Sequence, residues 1–342
     1  MRKKIFTLGL LYAALCLFSL AVNIKIAISL FLGGILALFI STTLLYINKL
    51  VKKTQWYKSV IPNMSLYPTN EWYREHLERN FDVVNIGSSS ARYAFDYSGL
   101  PVKAFNWGEQ PQSLNNGFKI LKTYFSILKK GGMVIISLCP LSGLDIEGKW
   151  GKDANDKYYY ILPSELINDY SSVAKRRNYP LVYYPITSIK NLLRKTLGKE
   201  NGQNTELVKT FVDDSEKWIR IWKAQFGIMS FEEPLSEANN KGQESRIALL
   251  KDILAFCIER DLQPAVVIPP MHCSLANKFT LTFRENYIYS FVNKANIFKV
   301  PFLNYMDDER FDDDKYFYNS FFLNEKGAKK FTNIVLKDLK IL

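Results

Sequence analysis

Two long apolar runs near the amino terminus constrain the fold of this chain more than any other feature. Residues 5–22 and residues 26–47 carry no charged side chain, and only Asn23, Ile24 and Lys25 separate them. A helix of about 20 apolar residues is long enough to span the hydrocarbon core of a bilayer. The sequence therefore predicts a membrane anchor over residues 1–58, with two transmembrane helices in a tight hairpin.

The first run has one competing interpretation, a cleaved signal peptide, although it lacks a clear small-residue cleavage site and a second run follows at once. Basic residues precede the first run, at positions 2–4, and follow the second, at positions 49–58. The positive-inside rule then favours a soluble domain on the cytoplasmic side. Burial of Lys25, or a first run that does not span, would place the domain on the outer side instead.

After the anchor, short apolar runs alternate with segments of helical periodicity. Strand patterns begin near Asp82, Val102, Met133, Pro264 and Val300, and helical patterns lie between them. Parallel strands joined by helices form a sheet that is covered on both faces. The sequence predicts an α/β fold, a flavodoxin-like, doubly wound parallel sheet of about five strands. Residues 59–143 and 241–342 form its two halves.

Residues 144–240 interrupt this alternation and are too long for a structureless loop. They are rich in basic and aromatic residues, as in the stretch "KRRNYPLVYYPITSIKNLLRK". We predict a mostly helical insertion. This insertion is either a packing subdomain with a solvated basic face or a substrate-binding cap. Its tyrosines and tryptophans form either its small core or a surface on which sugar rings stack.

Composition narrows the range of functions without selecting one. The net charge of +12 suits an anionic membrane surface or an acidic polymer, and no nucleic-acid-binding motif is present. The four cysteines are scattered, so neither a disulfide scaffold nor a structural metal site is predicted. The run Asp312 to Asp314 is best interpreted as a solvated face. Without a GxGxxG pattern or a P-loop, we predict no nucleotide cofactor.

The loops that follow the predicted strands hold the candidate site residues. Ligands of open parallel sheets bind at the carboxyl ends of the strands, so these loops converge on one cleft. The residues expected there are Ser88, Ser89, Asn106, Gly108, His272 and Asn319. A serine at the start of a helix is a plausible nucleophile if a base takes its proton, but Gly-Ser-Ser is also a common turn and helix-cap pattern.

The order of these blocks, "GSSS", "FNWG", "VIIS" and "NSFFLNEKGAKKF", resembles the SGNH (GDSL-like) hydrolase superfamily. It is most similar to the membrane-anchored branch that acts in bacterial envelope-polysaccharide and teichoic-acid metabolism, which includes the D-alanyl transfer proteins. The resemblance covers about residues 82–142 and 243–342. It implies that Ser89 is the nucleophile and that Gly108 donates to the oxyanion, with Asn106 and Ser88 as neighbouring polar groups.

The last block departs from the family pattern Asp-x-x-His. Asn319 occupies the aspartate position and Phe322 the histidine position, although Leu323, Asn324 and Gly327 follow the pattern. Phenylalanine cannot accept a proton, and loss of a triad member costs on the order of 10⁴ to 10⁶ in rate. His272 is the one candidate for a relocated base. The alternative is a half-exposed histidine that forms hydrogen bonds with its loop or contacts the substrate.

The resemblance implies an acyl-ester hydrolase or acyltransferase that acts on an envelope polysaccharide or related polymer at the bacterial cytoplasmic (inner) membrane, without a cofactor. The alternative is a catalytically inactive SGNH-like module that binds a glycan or scaffolds a membrane-bound polysaccharide assembly. The expected partners are the lipid bilayer, the acylated polymer and membrane-bound assembly proteins.

Overall fold

A computed structural model describes residues 24–58, 80–144, 152–199 and 210–342, and the single residue Ala13. The first predicted span, residues 5–22, lies outside these four ranges. The strands are β1 Phe81–Gly87, β2 Ala104–Gly108, β3 Leu128–Ser137, β4 Gln263–Ile268 and β5 Phe302–Asn304.

Fourteen α-helices lie within the described residues. They are α1 Ile24–Val51, α2 Gln55–Lys58, α3 Ser89–Ala94, α4 Leu114–Tyr124, α5 Tyr158–Ile161, α6 Tyr170–Asn178, α7 Pro180–Tyr183, α8 Pro185–Thr196, α9 Phe211–Phe226, α10 Glu237–Ile258, α11 Cys273–Ala276, α12 Leu281–Phe283, α13 Ser290–Ala295 and α14 Glu325–Asp338. Short 3₁₀ turns at Glu309–Phe311 and Asp314–Tyr316 lie between β5 and α14.

The five strands form one parallel sheet in the order β2-β1-β3-β4-β5. This order confirms the predicted flavodoxin-like α/β fold. The order reverses between β1 and β3, which lie side by side at the centre of the sheet. In doubly wound sheets this switch point opens the crevice in which ligands bind.

Both faces of the sheet are buried, because successive strand residues point to opposite sides. Val84 and Ile86 belong to the apolar core that α4 and α10 cover, whereas Val83 and Ile135 belong to the core beneath α3 and α14. The central strands are therefore almost continuously apolar, as is typical of parallel sheets.

One element boundary differs from the sequence prediction. The helical pattern after Ser113 extends to Lys130, but α4 ends at Tyr124 and Leu128 already pairs with Phe81 in the sheet. The pairing of β1 with β3 shifts register just beyond this point, and Gly131 adopts a φ of +72°. Glycine tolerates this left-handed conformation, so the two glycines form an irregularity within β3 rather than a helix end.

The chain divides into two compact units, Met1–Val60 with Ala174–Gly202 and Ile61–Val173 with Gln203–Leu342. The segment predicted as one insertion, residues 144–240, is thus shared between them. Its middle part groups with α1 because the Asn48 side chain donates to the Asn178 carbonyl and accepts from the Leu181 amide. The five-stranded sheet lies wholly in the second unit.

Within the described residues, α1 is the helix that is long and apolar enough to cross a membrane. Its 28 residues contain the second predicted span and expose large apolar side chains along their length, such as Leu38 and Phe39. At about 1.5 Å per residue the helix exceeds the thickness of a bilayer core. This agrees with association of the chain with a lipid bilayer.

Candidate functional site

A cavity of about 270 Å³ lies at the carboxyl ends of β1 and β3, at the switch point of the sheet. Four groups of residues line it: the turn after β1, the loop after β2, the segment after β3, and side chains from α9, α10 and the last loop. They include Gly87, Ser88, Ser89, Ser90, Gln112, Ser137, Leu138, Cys139, Ser142, Trp218, Trp222, Arg246 and Phe321.

The turn from β1 into α3 places the serines at this cavity. A Cβ atom at Gly87 would lie 2.6 Å from the Ala91 Cβ and 2.6 Å from the Ser137 carbonyl oxygen, so only glycine fits. Ser88 precedes the helix, and its hydroxyl accepts from the Gln112 amide at 3.3 Å. Ser89, the first residue of α3, is half-buried and lines the cavity.

Gly108 and Asn106, the residues expected at the oxyanion, are not among those that line the cavity. The Gly108 amide donates to the Asn106 side-chain oxygen at 2.8 Å, and the Asn106 amide group donates to carbonyls at the end of α3. A Cβ atom at Gly108 would lie 2.6 Å from the Arg92 nitrogen. These two residues join β2 to α3, and their hydrogen-bonding groups are used in doing so.

His272 is not among the lining residues of the cavity that Ser89 lines. Its Nδ1 accepts from the Ser274 amide at 3.2 Å, and its Nε2 lies 2.8 Å from a carboxylate oxygen of Asp314. An accepting Nδ1 leaves the proton of the neutral ring on Nε2, where it donates to Asp314. The ring also stacks on Phe211, at 4.1 Å between centroids. These contacts of His272 therefore stabilise the loop that carries it.

The contacts of His272 with Ser274 and Asp314 resemble those of a catalytic triad. The Ser274 hydroxyl lies 2.8 Å from the His272 Nδ1 but also donates to the Phe211 carbonyl at 3.1 Å and lies 2.7 Å from the Ser215 hydroxyl. This network fastens α9 to α11. The Asp314 side chain makes its contact with His272 while remaining largely exposed, in agreement with the predicted solvated face.

Asn319 and Phe322 have structural roles in the loop before α14. The Asn319 side-chain oxygen accepts from the amides of Phe321 and Phe322 at 2.9 Å and 2.8 Å, which closes a tight turn. Phe322 is buried, stacks on Tyr93 at 4.7 Å and meets the edge of Trp218 at 5.6 Å. Asn319 itself does not line the cavity.

Three hydrogen-bonding atoms of the cavity wall were not predicted from the sequence. The hydroxyls of Ser90 and Ser137 and the indole N–H of Trp218 are buried and have no hydrogen-bond partner within the described part of the protein. Ser137 ends the "VIIS" strand, which was a signal in the sequence. Trp218 lies on α9 in the predicted insertion, and no local pattern connects it with the strand ends.

The acidic residue nearest to the end of β2 is Glu109, which is almost fully buried. Its carboxylate lies 3.9 Å from the Arg92 guanidinium and 3.8 Å from the Lys157 ammonium, and it accepts from the Gln110 amide. A buried carboxylate loses its hydration, and nearby cations such as these offset that loss. Glu109 thus helps to hold the loop that carries Gln112.

Cys139 is the thiol of the cavity wall. Burial raises the pKa of this thiol above its ordinary value, and hydrogen bonds with Ser142 oppose that shift only in part. The thiolate is the nucleophilic form, so a raised pKa lowers its fraction at neutral pH. The environment therefore keeps Cys139 in the unreactive thiol form.

Alkylation of Cys139 by iodoacetamide is expected to be slow at pH 7 and to accelerate as the pH rises beyond the range of an ordinary thiol. Peptide mapping by mass spectrometry measures the rate at this residue. The same chain unfolded in urea is the control, because its Cys139 has the ordinary pKa. Equal rates in the folded and unfolded chains across this pH range would contradict the raised pKa.

Comparison of the sequence with known protein families and with curated proteins finds no match.

Proposed function

We propose that this protein is a membrane-anchored, SGNH-like α/β module that binds a polyhydroxylated, glycan-type ligand in the strand-end cavity. The observation that carries this proposal is the set of buried, unpartnered groups on the cavity wall: Ser90 Oγ, Ser137 Oγ and Trp218 Nε1. A buried polar group without a partner costs about 1–3 kcal/mol. A ligand that supplies partners recovers this cost on binding.

The chemistry of the wall favours a sugar over a purely apolar ligand. Sugar hydroxyls both donate and accept hydrogen bonds, which suits two serine hydroxyls and one indole N–H. The apolar faces of sugar rings suit aromatic walls, and Trp218, Trp222 and Phe321 lie together, with centroids 5.0–5.3 Å apart. An envelope polysaccharide, the polymer that the family resemblance implies, has this chemistry.

A binding role is also supported by the use of the family's catalytic positions for packing. Phe322 fills the histidine position with an aromatic contact, Asn319 closes a turn, and both ring nitrogens of His272 are engaged elsewhere. The Gly108 amide, the expected oxyanion donor, is bonded to Asn106. Each of these contacts stabilises the fold, so each of these residues has a structural role.

A second candidate is the acyl-ester hydrolase or acyltransferase that the resemblance implies. It is favoured by Ser89, which lines the cavity at the start of α3. Labelling by a fluorophosphonate probe separates the two candidates. We expect no more labelling of the wild type than of Ser89→Ala, whereas Ser89-dependent labelling would establish the enzyme.

Location at the bacterial inner membrane, with the sheet domain on the cytoplasmic side, belongs to the same proposal. It is supported by α1 and by the basic residues Lys49, Lys52 and Lys53 that follow its apolar run. Protease protection in sealed inverted vesicles tests the side. Digestion of the sheet domain in inverted vesicles, with protection in intact cells, is the expected result.

Ser137→Ala tests the binding role through two opposite effects. It removes a buried hydroxyl that has no partner in the protein, so the free energy of unfolding is expected to rise by about 1 kcal/mol. It also removes a hydrogen bond to the ligand, so affinity is expected to fall about tenfold, equivalent to about 1.4 kcal/mol. Urea unfolding measures the first effect.

The affinity is measured on the full chain in detergent. A glycan array identifies an oligosaccharide, and quenching of tryptophan fluorescence gives its dissociation constant. Ser98→Ala, on an exposed loop, is the matched control and should change neither quantity. Absence of any retained glycan, or an unchanged affinity in Ser137→Ala, would contradict the proposal.

A further inference from the structure

Helices α7 and α8 are fastened to the segment that ends the apolar helix α1. The Asn48 side chain bonds the Asn178 carbonyl at 2.8 Å and the Leu181 amide at 3.1 Å. The Tyr57 hydroxyl donates to the Arg177 carbonyl at 2.7 Å, and the Arg177 guanidinium lies 3.7 Å from the centre of the Tyr57 ring. These contacts hold α7 and α8 at the level where the apolar run, residues 26–47, stops.

A further bond attaches the far end of α8 to the same segment. The Lys195 ammonium donates to the Lys53 carbonyl at 2.7 Å. Both ends of the α7–α8 segment are thereby tied to residues 48–57. Since α1 is longer than a bilayer core is thick, these residues reach the headgroup region of any membrane that α1 spans.

Helix α8 buries a polar side chain and exposes apolar ones, which is the reverse of the usual arrangement in a soluble protein. Its buried contact is polar: Ser188 is fully buried and donates to the Pro180 carbonyl at 3.0 Å. Its apolar side chains are exposed instead, at 82% for Ile186, 50% for Ile189 and 57% for Leu193. Leu197, just past the helix, continues this row and is 67% exposed.

The exposed apolar residues form one stripe. Their spacings of three, four and four residues keep positions 186, 189, 193 and 197 on the same face of a helix with 3.6 residues per turn. Val182 of α7 adds another exposed apolar side chain beside this stripe in sequence. An exposed apolar stripe of this kind marks a site that contacts either another protein or a membrane.

The charge of the segment around the stripe favours a membrane. Residues 170–199 contain seven lysines and arginines and no acidic residue. Lys190 and Arg194 are exposed and follow the stripe residues Ile189 and Leu193 directly. Basic residues beside an apolar stripe are the pattern of helices that lie in the interface of an anionic bilayer, where the long side chains reach the headgroups.

We propose that α7 and α8 form an interfacial anchor that lies in the surface of the bilayer spanned by α1. The side chains of Ile186, Ile189, Leu193 and Leu197 enter the boundary between headgroups and acyl chains. Lys190 and Arg194 contact anionic lipid phosphates. This inference rests on the membrane location proposed above, and it assigns to the middle of the insertion a membrane-binding role rather than one at the cavity.

Site-specific photo-crosslinking of the full chain in nanodiscs tests the anchor. A diazirine amino acid is introduced at Ile189 on the stripe, at Thr187 on another face of the same helix as the matched control, and at Leu38 in the middle of α1. In discs that contain phosphatidylglycerol, we expect lipid adducts at positions 189 and 38 and several-fold fewer at position 187.

The outcomes separate this inference from the membrane location itself. Lipid adducts at position 38 but no excess at 189 over 187 would overturn the interfacial anchor alone. A crosslink from position 189 to a second copy of the chain would overturn it in favour of an interface between copies. Absence of lipid adducts at both 38 and 189 would overturn the membrane location as well.

Charge reversal tests the choice of lipid. Lys190→Glu combined with Arg194→Glu alters two exposed side chains and leaves the stripe intact. We expect this variant to lose a large part of the lipid adduct at position 189 in phosphatidylglycerol discs and little in phosphatidylcholine discs. An equal loss in both kinds of disc would contradict pairing with anionic headgroups.

Discussion

Gly327→Ala is expected to lower the free energy of unfolding by about 3 kcal/mol, at the upper end of the usual cost of overpacking. A Cβ atom at this position would lie 2.2 Å from the Tyr316 carbonyl oxygen and 3.0 Å from the Leu323 side chain. A backbone carbonyl cannot turn aside, so the start of α14 must move away from the loop that precedes it.

That loop carries Asn319 to Phe322, and Phe321 is part of the cavity wall. The same substitution is therefore expected to disturb the cavity as well as to destabilise the fold. Urea unfolding of the full chain in detergent, followed by circular dichroism, measures the free energy.

Gly117→Ala is the matched control for this change, since Gly117 is also a helical glycine, in α4. A Cβ atom there would meet its nearest neighbours at 3.5 Å, an ordinary contact. Alanine in a helix interior is favoured over glycine by about 0.5–1 kcal/mol, so this variant is expected to be slightly more stable. Similar losses in both variants would show that the close approach at Gly327 is not the cause.

Phe331→Ala is expected to lower the free energy of unfolding by about 3–5 kcal/mol, the usual cost of deleting a buried phenylalanine ring. Phe331 is fully buried under the sheet face that α14 covers. Its ring contacts Phe95 at 5.4 Å, Tyr305 at 5.3 Å and Phe311 at 6.0 Å between centroids. Truncation leaves a cavity that these rings cannot fill.

Phe298→Ala is the control for this second prediction, because Phe298 is 38% exposed in the turn before β5. Its truncation is expected to change the free energy of unfolding by no more than about 0.5 kcal/mol. Phe331→Leu should lose less than Phe331→Ala, since leucine keeps part of the buried volume. A loss in Phe331→Ala no larger than that in Phe298→Ala would contradict the assignment of Phe331 to the core.

The residues expected to act together at the candidate site take on separate roles in the structure. Ser89 remains at the end of β1, where the chain order predicts it. The expected partners contribute to packing and turns, as the stacking of Phe322 on Tyr93 and the two amide contacts of Asn319 show. His272 lies after β4, as predicted, but its ring bonds to its own loop.

The strand and helix pattern was predictable because it is local. Apolar runs such as "VVNIG" and "MVIIS" form buried parallel strands wherever helices cover both faces, and the alternation with helices implies the strand order to within a few choices. The apolar run over residues 26–47 likewise predicts a helix of membrane-spanning length without reference to the rest of the chain. The serines after β1 follow from the same pattern.

Contacts between distant parts of the chain could not be predicted and are visible in the folded structure alone. Local sequence carries no information on the bonds from the Asn106 side chain to carbonyls of α3, on the contact of His272 with Asp314, or on the placement of Trp218 at the cavity 81 residues after Ser137. The inward orientation of Ser188 and the outward orientation of Ile186 also depend on packing against α7. Periodicity along the chain was thus enough to predict the sheet, the apolar helix and a candidate site at the strand ends. Which hydrogen-bonding groups remain available at that site depends on partners far away in sequence, and only the folded chain brings those partners together.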